Sequence, residues 1–241
     1  MAYFQSFPSA LYKYGDGSSF TFTENLAAYA EVFDSIKDNS AFYQDYYVNI
    51  GERPDHAAYV LYQNPQLHWT FFLMNPKLRE RGWPESQSNV LKKSKEDYPN
   101  ITLTTRDEIF NTFSVGQEIQ GQISMATGVV IKKNLDLGQV VIKTTLGTFK
   151  VDGEQVNSTV GEDIQIMQTV SAGPEHLSAK YYMDNNEPVS INPYVGPDPL
   201  LSEVTYYDHY IAENEELKQI RALKPENVRS VTRAFRDAME S

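Results

Sequence analysis

Residues 46–83 read YYVNIGERPDHAAYVLYQNPQLHWTFFLMNPKLRERGW, and the order of their signals places two short helices behind an aromatic strand. Phe42 to Asn49 is rich in Phe and Tyr, residue types that suit a half-buried pleated surface, and Gly51 breaks the run. Pro54 suits the first helical position, where its missing N–H is not needed. Ala57, Ala58 and Leu61 then recur at helical spacing, and Asn64-Pro65 ends that helix and begins the next. The second helix, Gln66 to Met74, carries Leu67, Phe71 and Met74 on one side and Trp69, Phe72 and Leu73 around the other. A helix apolar on nearly every face must be covered on nearly every face.

Working outward, the first segment to Phe22 is aromatic but interrupted by Gly15 and Gly17, and reads as an extended arm over residues 1–22. Thr23 is placed to cap a helix with Leu26, Ala30, Phe33 and Ile36 on one stripe, ending near Asn39. After Trp83 the apolar period fades, and Pro84, Ser86, Ser88 and the lysines read as a connection, with Lys92-Lys93 and Lys95 in a solvated loop. Residues 23–104 are therefore expected to hold a helix followed by a strand-helix-helix core.

From Phe110 to Ile166 the pattern changes to short β-branched runs broken by glycine: FSVGQEIQGQIS, TGVVIKK, GQVVIKT and GTFKVDGEQVNS. The simplest architecture for residues 105–170 is a small antiparallel β-barrel of about five strands. Phe113-x-Val115 before Glu118 is echoed by Phe149-x-Val151 before Glu154. Residues 171–204 carry five prolines, which exclude a continuous helix or a central strand. There Asn185-Asn186 can close a hairpin, and Asn192 to Pro199 reads as an extended tether. In residues 205–241, Thr205 caps a helix, Gln219 to Leu223 suits a strand, and Pro225 opens an amphipathic helix with Val228, Val231, Phe235 and Met239 on one side. The fold class expected is α+β.

Composition narrows the function. The chain has 241 residues, 41% apolar and 22% charged, within the range of globular proteins. It has no cysteine, so disulfides, thiolate metal sites and a cysteine nucleophile are excluded. No apolar run approaches the roughly 20 residues of a membrane span, and MAYFQSFPSALYKYGDG lacks the pattern of a signal peptide. A soluble protein made inside the cell is expected. A net charge of −11 argues against nucleic acid as partner and favours solubility or a basic partner surface. Sixteen Tyr, 12 Phe and 2 Trp exceed what one core needs, and neighbouring pairs such as Tyr46-Tyr47 point to opposite faces of a strand, which suits a protein with partners on several sides.

No site chemistry emerges. The four histidines, His56, His68, His176 and His209, stand far apart. Asp208, His209 and Glu213 fall within two helical turns, but the acidic and basic residues after them have the spacing of a self-paired exposed helix. GQEIQG and GEQVNSTVG lack the strand-to-helix setting and lysine of a phosphate loop and read as barrel turns. No catalytic residue, cofactor or metal site is expected.

The Tyr-rich strand, Arg53-Pro54, the small-residue helix, YQNPQLHW and a following Met74-Asn75 before Gly82-Trp83 resemble the baseplate wedge proteins of contractile-tailed bacteriophages. Tyr207, Tyr210, Glu213-Asn214-Glu215, Lys218, Ile220-Arg221 and Lys224-Pro225 resemble the closing segment of the same family. The resemblance implies a LysM-like fold for the core, with the β-barrel inserted into it. It further implies a structural subunit, not an enzyme, that clamps the wedge core and joins neighbouring wedges in the virion's tail baseplate. Its partners would be other wedge proteins and the central hub, in several copies per baseplate. The contact residues expected are Tyr46, Tyr62, His68, Trp69 and Trp83, with Tyr207 and Tyr210 behind them. Trp69 also suits the core, whereas Trp83, before a proline, is placed to reach a partner without supporting the isolated fold. A peptidoglycan-binding tail component is the alternative that a LysM-like fold leaves open.

Overall fold

A computed structural model describes residues 9–13, 20–24, 34, 36–160 and 163–240. Along the chain come strands β1 (Ser9–Lys13), β2 (Phe20–Glu24) and β3 (Tyr43–Tyr47), then helices α1 (Pro54–Tyr62), α2 (Trp69–Met74), α3 (Pro76–Arg81) and α4 (Gln87–Asp97). Nine further strands follow: β4 (Ile101–Thr105), β5 (Glu118–Gly121), β6 (Thr127–Asn134), β7 (Gln139–Leu146), β8 (Gln155–Val160), β9 (Asp163–Pro174), β10 (Ala179–Asp184), β11 (Glu187–Val189) and β12 (Ser202–Thr205). Helix α5 (Tyr206–Lys218), strand β13 (Gln219–Leu223) and helix α6 (Pro225–Glu240) close the chain. The fold class is α+β. No helix among the described residues is long and apolar enough to cross a membrane.

The chain divides into two compact units, Met1–Ser86 with Asn214–Ser241, and Gln87–Glu213. Residues 87–104, which the sequence reading joins to the core, therefore fall in the second unit. The arm's described parts, β1 and β2, pair antiparallel from Ser9↔Glu24 to Lys13↔Phe20. The helix expected after Thr23 lies largely outside the described residues.

In the first unit β3 and β13 form a two-stranded antiparallel sheet, registered from Gln219↔Tyr47 to Leu223↔Tyr43. Helix α1 has Pro54 in its first turn and ends at Gln63, whose left-handed φ of 54° turns the chain. The Asn64 side chain accepts from Gln66 N at 3.0 Å and caps a 3-10 turn over Pro65–Leu67. That turn leads into α2, so the second helix of the sequence reading is a 3-10 turn followed by a short α-helix. In α2, Trp69, Leu73 and Met74 pack with Leu223 and the Val228, Phe235 stripe of α6, while Phe71 faces Val48, Ala57, Ala58 and Ile220. One helix thus serves two apolar clusters, which is why it is apolar all round. Each large apolar side chain removed from water there contributes roughly 1.5–3 kcal/mol.

Asn75, just past α2, does what a neighbouring strand would do. Its Nδ2 donates to Arg221 O at 2.8 Å and to Phe71 O at 2.8 Å, and its Oδ1 accepts from Arg221 N at 2.9 Å. A side-chain amide thus pairs the outward groups of Arg221, the middle residue of β13.

The second unit contains a closed antiparallel barrel in the order β4-β7-β6-β5-β8-β9. It has six strands rather than about five and runs from Ile101 to Pro174 rather than over 105–170. The additional strand, β4, pairs with both β7 and β9 and supplies the seam that closes the barrel, a pairing that local pattern does not encode. The Phe113 and Phe149 echo is structural, for both rings are in the barrel core and Val115 and Val151 are both exposed. Glu154, by contrast, is 2% exposed. Its carboxylate accepts from Ile123 N (2.9 Å), Ser124 N (2.8 Å), Ser124 Oγ (2.6 Å) and Lys150 N (2.9 Å). Burial pushes its pKa up, but these donors outweigh burial and hold it below the usual glutamate value. A Cβ on Gly121 would stand 2.7 Å from that carboxyl carbon, and one on Gly153 2.3 Å from Thr169 O, so both glycines are steric requirements. The Lys133 ammonium gathers the loop before β5 by donating to Ile109, Phe110 and Thr112 carbonyls at 2.8–3.0 Å.

Two further expectations are corrected. The Lys92-Lys93-Lys95 segment is helix α4, not a loop. Its buried face consists of Val90 and Ser94 alone, too sparse an apolar stripe to read, and Lys92 and Glu96 approach within 3.8 Å one turn apart. The Asn192 to Pro199 segment is not extended throughout. Gly196 N donates to Asn192 O at 2.8 Å, with Gly196 at φ +97°. The turn lies against the Arg106 guanidinium, whose Nη1 donates to Pro193 O at 3.4 Å. Asn185 and Asn186 do turn the β10-β11 hairpin with φ of 47° and 68°, and Pro188 sits in its edge strand.

Asn75→Ala is expected to lower the stability of the first unit by about 1–3 kcal/mol, because Arg221 loses both partners of an edge it cannot otherwise pair; urea unfolding at neutral pH measures it. Glu154→Gln is expected to cost roughly 2 kcal/mol at neutral pH. Because the folded-state pKa of Glu154 is depressed, its contribution is full above the ordinary glutamate value and is lost as pH falls through the folded value. The gap between wild type and Glu154→Gln in thermal unfolding should therefore narrow on acidification; a gap independent of pH would refute the assignment.

Candidate protein-interaction surface

Of the seven residues read as contacts, five lie in the first unit and two, Tyr207 and Tyr210, in the second. Tyr46 is half-buried, and its hydroxyl donates to Glu52 Oε1 at 2.8 Å. Glu52 also accepts from Asn49 N at 3.0 Å and Asn49 Nδ2 at 3.1 Å, and stands 3.3 Å from His56 Nδ1. Burial and then the Glu52 carboxylate push the Tyr46 phenol up to about 12. For Glu52, burial raises the pKa and the hydrogen bonds more than reverse it, so the carboxyl lies below its usual range. This carboxylate shapes the turn between β3 and α1, a role that no motif announces.

Tyr62 stacks on Phe71 with ring centroids 5.8 Å apart and packs against both clusters of the first unit, and burial holds its phenol well above the usual range. The His68 Nδ1 lies 2.9 Å from Pro65 O, across the 3-10 turn. Trp69 is 8% exposed and packs on Phe235 at 5.3 Å, a core position. Trp83 donates from Nε1 to Glu52 O at 2.6 Å and packs on Phe71 and Phe72 at 5.7 and 6.0 Å. It supports its own unit, contrary to the expectation that the isolated fold would not need it. In the second unit Tyr207 is half-buried, and Tyr210 donates to Asp97 Oδ2 at 2.7 Å beside Tyr98. Burial and the Asp97 carboxylate hold the Tyr210 phenol far above its usual value.

Among the described residues, the large apolar side chains exposed in the first unit are Leu11, Tyr47, Ile50, Tyr59 (52%) and Val60 (50%). Sequence did contain a signal for Tyr59 and Val60. Ala57 and Ala58 are fully buried, and at about 100° per residue the two positions after them face away. The barrel likewise exposes Ile123, Leu146, Val151 and Ile164.

Chemistry is sparse. His209 Nε2 lies 3.4 Å from Glu213, but Asp208 is committed to Thr205, accepting from its N at 3.1 Å while Asp208 N donates to Thr205 Oγ1 at 3.0 Å. The pair is a capping box at the start of α5. Among the described residues no group of three or more His, Asp or Glu side chains is arranged to hold a metal. A cleft of about 660 Å³ opens at the barrel between Ile101, Phe149, Val151 and Pro174, and Lys143 is its one ionisable lining residue. A second, of about 520 Å³, lies beside Asn75 and Arg221, where Lys77 and Glu216 pair at 2.8 Å. Neither brings a nucleophile to a base.

Residues 17–114 match the family model described as base plate wedge protein 53. The match supports a baseplate wedge family. It contains the whole of the Tyr46 to Trp83 stretch, whereas the closing block from Tyr207 to Pro225 lies outside it. The family so described is one of structural phage baseplate proteins. No curated protein matches the chain.

Trp83→Ala is expected to destabilise the first unit by about 2 kcal/mol or more through lost packing and the unpaired Glu52 carbonyl. Tyr59→Ala should stay within about 0.5 kcal/mol of wild type. Thermal unfolding of the two variants side by side separates the packing residue from the surface residue.

Proposed function

We propose that this chain is a non-catalytic wedge subunit of a contractile phage tail, clamping the wedge core and joining neighbouring wedges as the baseplate assembles. The observation that carries the reading is the wedge-family match over residues 17–114. The body is read as LysM-like, from the succession β3, α1, α2 and β13 around one two-stranded sheet, with the barrel inserted before β13. The exposed Tyr59 and Val60, adjacent on α1, and the exposed apolar side chains of the barrel are the surfaces such partners would cover. Other wedge subunits and the central hub are the partners, with several copies of the chain per baseplate.

The test is affinity capture of the tagged full chain from cells making the phage structural proteins, with mass spectrometry of what is recovered. Wedge components in fixed ratio are the expected result, and a Tyr59→Ala, Val60→Ser double variant should reduce their recovery while unfolding at the wild-type temperature. Recovery of the chain alone, or with cell-wall fragments, would overturn the reading.

A further inference from the structure

The two edges of the β3-β13 sheet are treated differently. Val48 N donates to Lys218 O and Lys224 N to Phe42 O, both at 2.9 Å, and these bonds fix the phase of the ladder. Residues 42, 44, 46 and 48 turn their backbone groups toward β13, so alternation turns those of Tyr43, Asp45 and Tyr47 outward. On the far side of the sheet, the Asn75 amide occupies the corresponding groups of Arg221. On the β3 side, the outward N–H and C=O groups of Tyr43, Asp45 and Tyr47 have no partner among the described residues. The strand has no lysine, proline or bulge, and Asp45 is its one charged residue. Asp45 and Tyr47 are exposed, Tyr47 by 57%.

We propose that the open edge of β3 accepts an extended strand from a neighbouring subunit, one that sets a Lys or Arg beside Asp45 and apolar side chains beside Tyr43 and Tyr47. Strand addition supplies main-chain hydrogen bonds, and the alternate side chains select the partner. Tyr43, Asp45 and Tyr47 share one face, so a carboxylate between two rings is what an incoming strand meets. Arg221, opposite Asp45 on that face, is already paired with Asp38 at 2.7 Å and stacked on Tyr43 at 4.8 Å. A second copy of β3 fits less well, since the antiparallel register that overlaps all five residues sets Asp45 against its own copy. The chain's charge of −11 also favours a basic partner strand.

This inference rests on the wedge reading, and its test uses the full chain co-produced with the other wedge proteins. Asp45→Pro removes one outward N–H and leaves the ladder to β13 untouched, while Asp45→Asn removes the charge and keeps the N–H. Asp45→Pro is expected to unfold at the wild-type temperature yet lose recovery in the wedge by roughly tenfold or more. Asp45→Asn should lose about threefold or less. In wild type, amide exchange at Tyr43, Asp45 and Tyr47 should be fast in the free chain and slow in the assembly, with Gln44 and Tyr46 slow in both; this arm decides alone if Asp45→Pro does not fold. Wild-type recovery of Asp45→Pro, or equally fast exchange at the three amides in the assembly, overturns strand addition and leaves the wedge reading standing. Failure of wild type itself to join the wedge overturns both.

Discussion

The obligation of backbone N–H and C=O groups to find partners decides the shape of the first unit. Its core sheet has two strands, one from Tyr43–Tyr47 and one from Gln219–Leu223. Two strands leave two edges, and Asn75 pairs the middle residue of one of them across a sequence separation of 146 residues. The same amide also holds Phe71 O, so the end of α2 and the middle of β13 are fixed by one side chain. Packing follows from that clip, because Phe71 and Ile220 then belong to one cluster and Met74 and Leu223 to the next.

Two carboxylates play comparable parts. Glu52 and Glu154 each gather donors from a turn, and in each the donors outweigh burial and keep the group ionised. Each carboxylate fastens the turn whose N–H and O–H groups ring it, with His56 also beside Glu52. In the barrel, a side chain at Gly121 would collide with the Glu154 carboxyl and one at Gly153 with the Thr169 carbonyl. Within the two glycine-bearing segments, these glycines leave room for both groups. This economy of chemistry fits a family whose members build a tail baseplate.

Aromatic residues divide by environment rather than by type. Trp69 and Trp83 look alike in sequence as large rings near helix ends. One is enclosed by α6, and the other donates to Glu52 O and rests on Phe71 and Phe72. The residues left facing solvent, Tyr47, Tyr59 and Val60, are ordinary neighbours of buried ones. A contact surface cannot be chosen by picking the largest side chains, because those are the ones a small core consumes first.

Sequence alone determined the elements whose causes are local. Pro54, the Asn64 cap, the Asn185-Asn186 turn, the Thr205 cap and the stripe of α6 each depend on residues within a few positions, where backbone sterics and helical period act. The wedge resemblance was legible for the same reason, as a run of such local signals in order. Tertiary structure decided what depends on residues far apart. Closing the barrel needed Ile101–Thr105 to meet both Gln139–Leu146 and Asp163–Pro174; α4 needed only Val90 and Ser94 to be covered; Asn75 needed Arg221. Those pairings are set by which backbone groups and apolar faces remain unsatisfied once the chain is compact, and a one-dimensional pattern carries no record of them.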